Sequence, residues 1–211
     1  MNYWPVLPCD MPEVNEPLIE MVRDLSVAGE RTAKEMYGMH GFVAHHNVDI
    51  WRMTTPVGGC AVWAFWPMSP GWFCEHIFAH YEYTMDEKYL RETAYPIMKK
   101  SAEFYCDYLV EDKDGYLIAA PSTSPENNFV LNDSNCAVSQ TTTMTMSIIR
   151  ELFENCIKAS DILGEDKEFA EILKDKLENM LPFRIGKKGQ LLEWYLSLIH
   201  ISEPTRQEAI S

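Results

Sequence analysis

The chain has 211 residues, of which 46% are hydrophobic and 24% are charged. This apolar fraction excludes a disordered or collagen-like chain, and the length suits one globular domain or part of a larger one. Acidic residues number 32 against 18 Lys and Arg, which gives a net charge of -14. Nucleic acid is therefore not expected as a partner, because phosphate binding requires clustered basic side chains. The longest apolar run, residues 61–66, is far shorter than the roughly 20 residues that span a bilayer, so no membrane partner is expected.

Both ends of the chain differ from those of a complete secreted domain. The N-terminus lacks the basic and apolar regions of a signal peptide, so the sequence leaves the compartment open. Two aromatic residues, Tyr3 and Trp4, predict a chain that begins within a domain. Residues 196–211 resemble a translated sequencing adapter, with an ordinary tail as the alternative. We therefore predict a domain fragment over residues 1–195 and a non-native tail over 196–211.

Helical periodicity dominates the sequence and predicts an all-α fold. Leu18, Ile19, Val22 and Leu25 recur at helical spacing, and Gly38 supplies a stop signal. Asp86 is expected to cap a helix that kinks or restarts at Pro96. The single strand signal is a short hairpin at residues 115–118. The predicted helices cover residues 13–36, 70–84, 87–109, 140–163 and 166–181, with a partial helix at 1–8.

The connections between the predicted helices alternate in length. Short turns near residues 84–86 and 164–165 alternate with long segments at 37–69 and 111–139. Because successive antiparallel helices reverse direction, both long segments should lie at one end, and residues 182–194 should return there. Long loops on a helical scaffold often carry functional sites, although a scaffold that binds a protein partner fits the same pattern.

The first long segment combines Trp residues with short polar side chains. Four of the six Trp residues lie between residues 51 and 72. Flat rings stack on the C–H faces of sugars while Asn, Asp and His bind hydroxyls, so this composition favours a sugar site. Filling of the helical core by some of these rings is the alternative. The candidate sugar-binding residues in this part of the chain are His45, His46, Asn47, Asp49, Trp51 and Trp72.

The second long segment carries the strongest candidate for acid–base chemistry, Glu126. It follows Pro125 in a polar loop that has no Lys or Arg within six residues on either side. A carboxyl group that lacks a cationic partner and is shaded by aromatic rings holds its proton to higher pH and suits a general acid. A solvated loop glutamate is the alternative.

No metal or cofactor is predicted. The six Cys residues form no CxxC pair, and their redox state is left open. His76 and His80 stand four residues apart, but Ile77 occupies the position of the glutamate in a zinc-protease motif. The group of His45, His46 and Asp49 suits hydroxyl recognition better than metal binding, since adjacent histidines point in different directions.

Three segments resemble the catalytic domain of glycoside hydrolase family 95, namely residues 45–52 (HHNVDIWR), 121–127 (PSTSPEN) and 184–194 (RIGKKGQLLEW). The resemblance implies an (α/α)6 toroid of helical hairpins. It also implies an inverting exo-α-L-fucosidase that acts on terminal α-1,2-linked fucose of oligosaccharides or glycans, although some relatives prefer α-L-galactose. By the same resemblance Glu126 is the general acid. Residues 45–51 are then near the sugar pocket, with Asn127, Gln190 and Trp194 at its mouth.

The resemblance further implies parts that this chain does not carry. The family's paired asparagines come before the segment similar to residues 1–5, and its basic Asp comes after the segment that ends at Trp194. We therefore expect a partial toroid of about five or six helices, an inactive isolated chain and an exported longer parent. The alternatives are an α-L-galactosidase, another six-hairpin glycosidase or phosphorylase, and a non-catalytic helical interaction module.

Overall fold

A computed structural model describes residues 2–131 and 134–195, and helices form its main secondary structure. A 3-10 turn at Pro12–Asn15 leads into the first helix, and π-helical turns occupy Ala33–Tyr37 and Leu90–Ala94. The five long helices correspond to the five predicted ones. In chain order the helices are α1 (Glu16–Thr32), α2 (Ala61–Ala64), α3 (Ser69–Thr84), α4 (Glu87–Tyr89), α5 (Tyr95–Tyr108), α6 (Thr143–Leu163) and α7 (Lys167–Asn179).

Helix α1 forms as the spacing of its apolar residues predicts. It continues through the first π-helical turn and ends at Gly38, whose φ of 69° lies in the left-handed region that favours glycine. Its buried face points into the core and includes Leu18, Ile19, Val22 and Leu25. The predicted helix at 13–36 and its stop at Gly38 are confirmed.

The segment between α3 and α5 contains the predicted cap and restart. The carboxylate of Asp86 accepts a hydrogen bond from the Tyr89 amide at 3.0 Å, so it caps α4. The π-helical turn Leu90–Ala94 then comes directly before α5, whose second residue is Pro96. Proline lacks an amide hydrogen, and its ring collides with a carbonyl of the preceding turn in a regular helix. The wider turn removes this conflict.

Helix α6 is the longest helix and packs against α3, α5 and α7. Thr142 caps its N-terminus by accepting a hydrogen bond from the Thr145 amide at 3.3 Å, and Gly164 ends it with a φ of 68°. It begins slightly later than the predicted residue 140, because the capping residue Thr142 has an extended backbone. The predicted apolar stripe is buried at Ile149, Leu152, Phe153 and Cys156.

Residues 109–139 contain three short pairs of antiparallel strands, whereas the sequence predicts a single hairpin. That hairpin is present, because β1 (Leu109–Glu111) pairs antiparallel with β2 (Leu117–Ala119). Strands of two or three residues are too short to show an alternating pattern, so the others left no signal in the sequence. Two further antiparallel pairs join β3 (Ser122–Thr123) to β6 (Val138–Ser139) and β4 (Phe129–Leu131) to β5 (Ser134–Cys136).

Two local features differ from the prediction. Residues 2–8 form consecutive turns, so the partial helix predicted at 1–8 is wrong for the part that is described. Pro5 and Pro8 each remove an amide donor that a helix would need there. The single-turn helix α2, in the first long segment, was not predicted.

The long segments lie at one end of the helices, as their alternation with short turns predicts. The hydroxyl of Thr123 in the second segment donates to the carbonyl of Phe65 in the first at 2.8 Å. Residues 182–195 return to the same end, where they lie beside the start of α6. At the other end, Arg91 near the α3–α4 turn pairs with Glu165 in the α6–α7 turn. Three segments that are distant in sequence therefore meet at the long-loop end.

The apolar core fills the space between α1, α3, α5 and α6. Within residues 2–131 and 134–195, no helix combines the length and the apolar character that a bilayer crossing requires. The tail predicted to be non-native, residues 196–211, falls outside the described residues.

Candidate functional site

Glu126 lies in a tight turn between β3 and β4. The amide of Asn127 donates to the carbonyl of Ser124 at 2.7 Å, which is the hydrogen bond of a four-residue turn. Ser124 is 1% exposed, whereas Glu126 and Asn127 are exposed to solvent. We call the turn from Ser124 to Asn127 the acid turn. Its first residue is buried, and its third residue, Glu126, presents a carboxyl group to solvent.

A network of hydroxyl groups fixes the strand that leads into the acid turn. Ser122 Oγ lies 3.2 Å from Thr142 Oγ1 and 3.0 Å from Thr145 Oγ1. The hydroxyls of Thr142 and Thr145 are 3.0 Å apart, and all three side chains are buried. Since Thr142 also caps α6, the network ties β3 to the longest helix. A buried polar network whose members are all hydrogen-bonded is rigid, so the strand that leads into the acid turn is held in a fixed position.

The last described segment supports the acid turn from another side. Ser124 Oγ donates a hydrogen bond to the carboxylate of Glu193. The Trp194 ring is 1% exposed and packs on Phe129 of β4, with ring centroids 4.8 Å apart. Trp194, which was predicted to bind sugar, therefore lies beneath the loop with its ring faces covered. Sequence patterns did not indicate Ser124 or Glu193, because their contact joins residues 69 positions apart.

His45, also predicted near the sugar, is fully buried. Its Nδ1 lies 2.7 Å from the carbonyl oxygen of Thr54, and its Nε2 lies 2.7 Å from the hydroxyl of Tyr37. A carbonyl only accepts, so Nδ1 carries the proton and Nε2 accepts from Tyr37. Burial raises the pKa of Tyr37, which keeps the phenol protonated as a donor. Both nitrogens of His45 are thus engaged within the protein and leave none for a sugar hydroxyl.

Three rings of the first long segment and one ring of α3 form a group that we call the aromatic group, made up of His46, Trp63, Trp66 and, in α3, Trp72. The His46 ring centroid lies 6.5 Å from that of Trp63 and 6.0 Å from that of Trp66. Trp72 packs edge-on against Trp66 at 6.4 Å. His46, Trp63 and Trp72 are partly exposed, while Trp66 is buried. Asn47, whose Oδ1 is 3.0 Å from His46 Nδ1, is exposed beside them.

Asp49 sets the shape of the turn that carries Trp51. Its Oδ1 accepts hydrogen bonds from the amides of Trp51 at 3.0 Å and Met53 at 2.9 Å. Arg52 has a φ of 62° and donates to the carboxylate of Asp24 in α1 at 3.0 Å, which ties the turn to the helix. The Trp51 side chain is 83% exposed. One carboxylate oxygen of Asp49 is therefore used by the backbone, and the Trp51 ring is free to stack on a ligand.

Gln190 lies in a separate turn of the last segment. Its Oε1 accepts from the Lys188 amide at 3.0 Å, and its carbonyl accepts from the Gly186 amide at 2.7 Å. Pairing of Ile185 with Leu191 closes this turn. The exposed side chain of Gln190 thus stabilises its own turn, and no hydrogen bond within the described residues connects it with Glu126.

The two helix histidines occupy α3 and show no metal-site arrangement. The His80 ring packs on Tyr89 with centroids 4.6 Å apart. Burial lowers the pKa values of both His76 and His80, which favours their neutral forms. In the described parts of the chain, no three His, Cys, Asp or Glu side chains are grouped in a way that could hold a metal ion.

The structure sorts the predicted site residues into an exposed set and a supporting set. Glu126 and Asn127 share the acid turn, and the bond from Thr123 to Phe65 places the aromatic group next to the strand that precedes this turn. Asn47, Asp49 and Trp51 are exposed on the first long segment. The supporting set, buried beneath these loops, is His45 and Trp194.

The pH dependence of stability provides a test of the buried His45. Burial lowers its pKa, and the hydrogen bond to Thr54 only partly opposes that effect. The unfolded chain binds a proton near pH 6.5 while the folded chain does not, so the stabilisation present above that pH is lost as the pH falls toward the lower folded pKa. Each unit of depression corresponds to about 1.4 kcal/mol.

We expect the free energy of unfolding of His45→Gln, measured with urea from pH 8 to pH 5, to fall less steeply below pH 6.5 than that of the unsubstituted chain. His76 and His80 contribute equally to both proteins, so the difference isolates His45. Above about pH 7.5 the two curves should be parallel. Equal slopes below pH 6.5 would show that His45 is not held neutral.

The sequence matches the family model of the Glycosyl hydrolase family 95 catalytic domain over residues 1–207. It is 41% identical over 197 residues to "Alpha-L-fucosidase 2" of Arabidopsis thaliana, a match that covers 92% of this chain and 23% of that protein. It is 32% identical over 205 residues to "Probable alpha-fucosidase A" of Aspergillus niger, which covers 94% of this chain and 25% of that protein. The chain spans about a quarter of the length of these relatives.

Proposed function

Because the chain belongs to glycosyl hydrolase family 95, we propose that it forms part of the catalytic domain of an α-L-fucosidase in which Glu126 is the general acid. The names of the two relatives support the activity. The single observation that carries the assignment of the acid is the place of Glu126 on a turn that is closed by a backbone hydrogen bond and held by the buried Ser124. Glycosidic cleavage requires a proton donor held within hydrogen-bond reach of the leaving oxygen.

The carboxyl group of Glu126 forms no ion pair within the described residues. No Lys or Arg lies within six residues of it in sequence. The ion pairs found among residues 2–131 and 134–195 all involve other carboxylates. No basic side chain therefore competes with a substrate for the Glu126 carboxyl group within the described residues.

The exposed side chains of the first long segment and of the acid turn suit a glycan. The partly exposed rings of the aromatic group, together with Trp51, offer surfaces on which the C–H faces of a sugar stack. The exposed amides of Asn47 and Asn127 supply both donors and acceptors for hydroxyl groups. We therefore propose a fucosylated oligosaccharide or glycan as the substrate class.

The proposed reaction is hydrolysis of terminal α-1,2-linked fucose with inversion. Glu126 gives its proton to the leaving glycosidic oxygen, while a carboxylate base on the opposite face of the sugar activates a water. In inverting glycosidases the two carboxyl groups are about 6.5 to 9.5 Å apart, which leaves room for that water. We assign no residue of this chain to the base and propose that a longer protein, called the whole enzyme below, contains this chain and supplies it.

The test is fucose release by the whole enzyme from a 2′-fucosylated oligosaccharide and from its α-1,3-linked isomer. We expect release from the first substrate only, with β-fucose as the first anomer seen by NMR, since inversion converts α to β. The isolated 211-residue chain should release none.

Each part of the proposal has its own contradicting result. Release of α-fucose first would contradict inversion, and faster turnover of an α-L-galactoside would contradict the substrate. Turnover that requires phosphate would indicate a phosphorylase. Release by the isolated chain at the rate of the whole enzyme would contradict the missing base.

A further inference from the structure

We propose that Glu193 is a positioning residue that acts through Ser124 to hold Glu126 in place for proton transfer. This inference rests on the proposed function, because it concerns the acid of that reaction. Glu193 itself does not donate the proton or touch the sugar. Its carboxylate fixes the first residue of the acid turn, and Glu126 is the third.

The geometry of the acid turn explains why its first residue controls the acid. Ser124 is buried, and its carbonyl accepts the Asn127 amide at 2.7 Å to close the turn. Its hydroxyl donates to the carboxylate of Glu193, and the side-chain amide of Asn127 lies 3.5 Å from the same oxygen. A rotation of Ser124 would therefore move both ends of the turn, and the carboxyl group of Glu126 would move with them.

Glu193 is fixed through its backbone to the start of α6. The Thr143 amide donates to the carbonyl of Glu193 at 2.9 Å, and the Tyr195 amide donates to the carbonyl of Thr141 at 3.2 Å. The next residue, Trp194, pairs with Thr142. The carboxylate of Glu193 thus projects from a segment held by the first residue of the 21-residue helix α6 and by the two residues that precede it.

The surroundings of Glu193 point to a holding role. The residue is half-buried, and within the described parts of the chain Ser124 is the one side chain that bonds its carboxylate. A hydrogen bond from a neutral hydroxyl to a carboxylate is stronger than one between neutral groups, which suits a fixed contact.

The whole enzyme with three single substitutions tests the proposal. Ser124→Ala removes the donor, Glu193→Ala removes the acceptor, and Glu193→Gln keeps an acceptor oxygen without the charge. We expect both Ala variants to lower kcat by about 10- to 100-fold with little change in KM, because small displacements of a reacting group have effects of this size. The double variant Ser124→Ala/Glu193→Ala should lose no more than either single one. Glu193→Gln should recover most of the activity.

Hydrogen exchange of the Asn127 amide in the same enzyme gives a readout that does not depend on turnover. We expect it to exchange faster in both Ala variants and to be protected again in Glu193→Gln. Unchanged kcat and unchanged exchange in the Ala variants would overturn the proposal. An inactive Glu193→Gln would also overturn it, since a positioning oxygen survives in that variant and a proton-transfer group does not.

Failure of this inference is distinguishable from failure of the proposed function. If Glu126→Gln abolishes turnover while the Ala variants behave normally, only the role of Glu193 is contradicted. If Glu126→Gln is fully active, the proposed acid itself is contradicted, whatever the Glu193 variants do.

Discussion

Replacement of Glu126 by Gln is expected to lower kcat for hydrolysis of a fucosylated glycan by about 1,000-fold in the whole enzyme. Gln has nearly the same shape as Glu but has no acidic proton, and general acid catalysis contributes about 10² to 10⁴ in rate. Because the exposed side chain supports no buried contact, its replacement should leave folding intact. Steady-state kinetics with a 2′-fucosylated oligosaccharide, together with a direct measurement of sugar affinity, would check this expectation.

Glu111 provides a matched control for that substitution. It is also an exposed glutamate in the second half of the chain, on β1, and it takes no part in the acid turn. Glu111→Gln should therefore retain the kcat of the unsubstituted enzyme. A loss of activity common to both variants would point to a general effect of removing surface charge. If the Glu126→Gln variant retains full activity, Glu126 is not the general acid.

Replacement of Gly41 by Ala should destabilise the fold by about 3 kcal/mol or more. Gly41 has a φ of 67°, and a Cβ added there would lie 2.0 Å from the carbonyl oxygen of Lys100 and 2.7 Å from the amide nitrogen of Phe104. Both neighbours belong to the backbone of α5 and cannot rotate away. The following residue, Phe42, bonds the same carbonyl at 3.3 Å, so the entry to the first long segment would be displaced. Urea unfolding of the chain measures the effect.

The Gly38→Ala variant separates the two contributions to the loss of stability in Gly41→Ala, which are the positive φ and the clash of the added Cβ with α5. Gly38 has a similar φ of 69°, but an added Cβ would meet no atom within 4 Å. Its substitution should therefore cost only the backbone preference, about 1 kcal/mol. If the two variants lose equal stability, the close approach of Gly41 to α5 does not constrain the loop.

The helical scaffold could be predicted because its signals are local. Asp86, Gly38 and Gly164 mark helix ends through preferences that a single residue carries. The apolar stripes of α1 and α6 likewise follow from spacing within one segment. Alternation of short and long connections then sufficed to place the long segments at one end.

The inner parts of the candidate site could not be predicted, because they depend on contacts between distant residues. Trp194 and His45 look like sugar-binding residues in a polar, aromatic sequence. The structure buries the first on Phe129 and engages both nitrogens of the second. Glu193 shows no pattern of its own, and its importance emerges only from its bond to Ser124. The exposed candidates Glu126, Asn127 and Trp51 stay predictions, made from residue type, loop position and the resemblance.

The central claim is tested most directly by comparing the turnover of two substrates by the Glu126→Gln variant, one with a poor leaving group and one with a good leaving group. An alkoxide leaves a glycan only with help from an acid, whereas fluoride leaves α-L-fucosyl fluoride as an anion without a proton. We predict that the variant in the whole enzyme loses about 1,000-fold in kcat on the glycan but retains turnover of the fluoride within about tenfold of the unsubstituted enzyme. Equal losses on both substrates would contradict the assignment of Glu126 as the general acid.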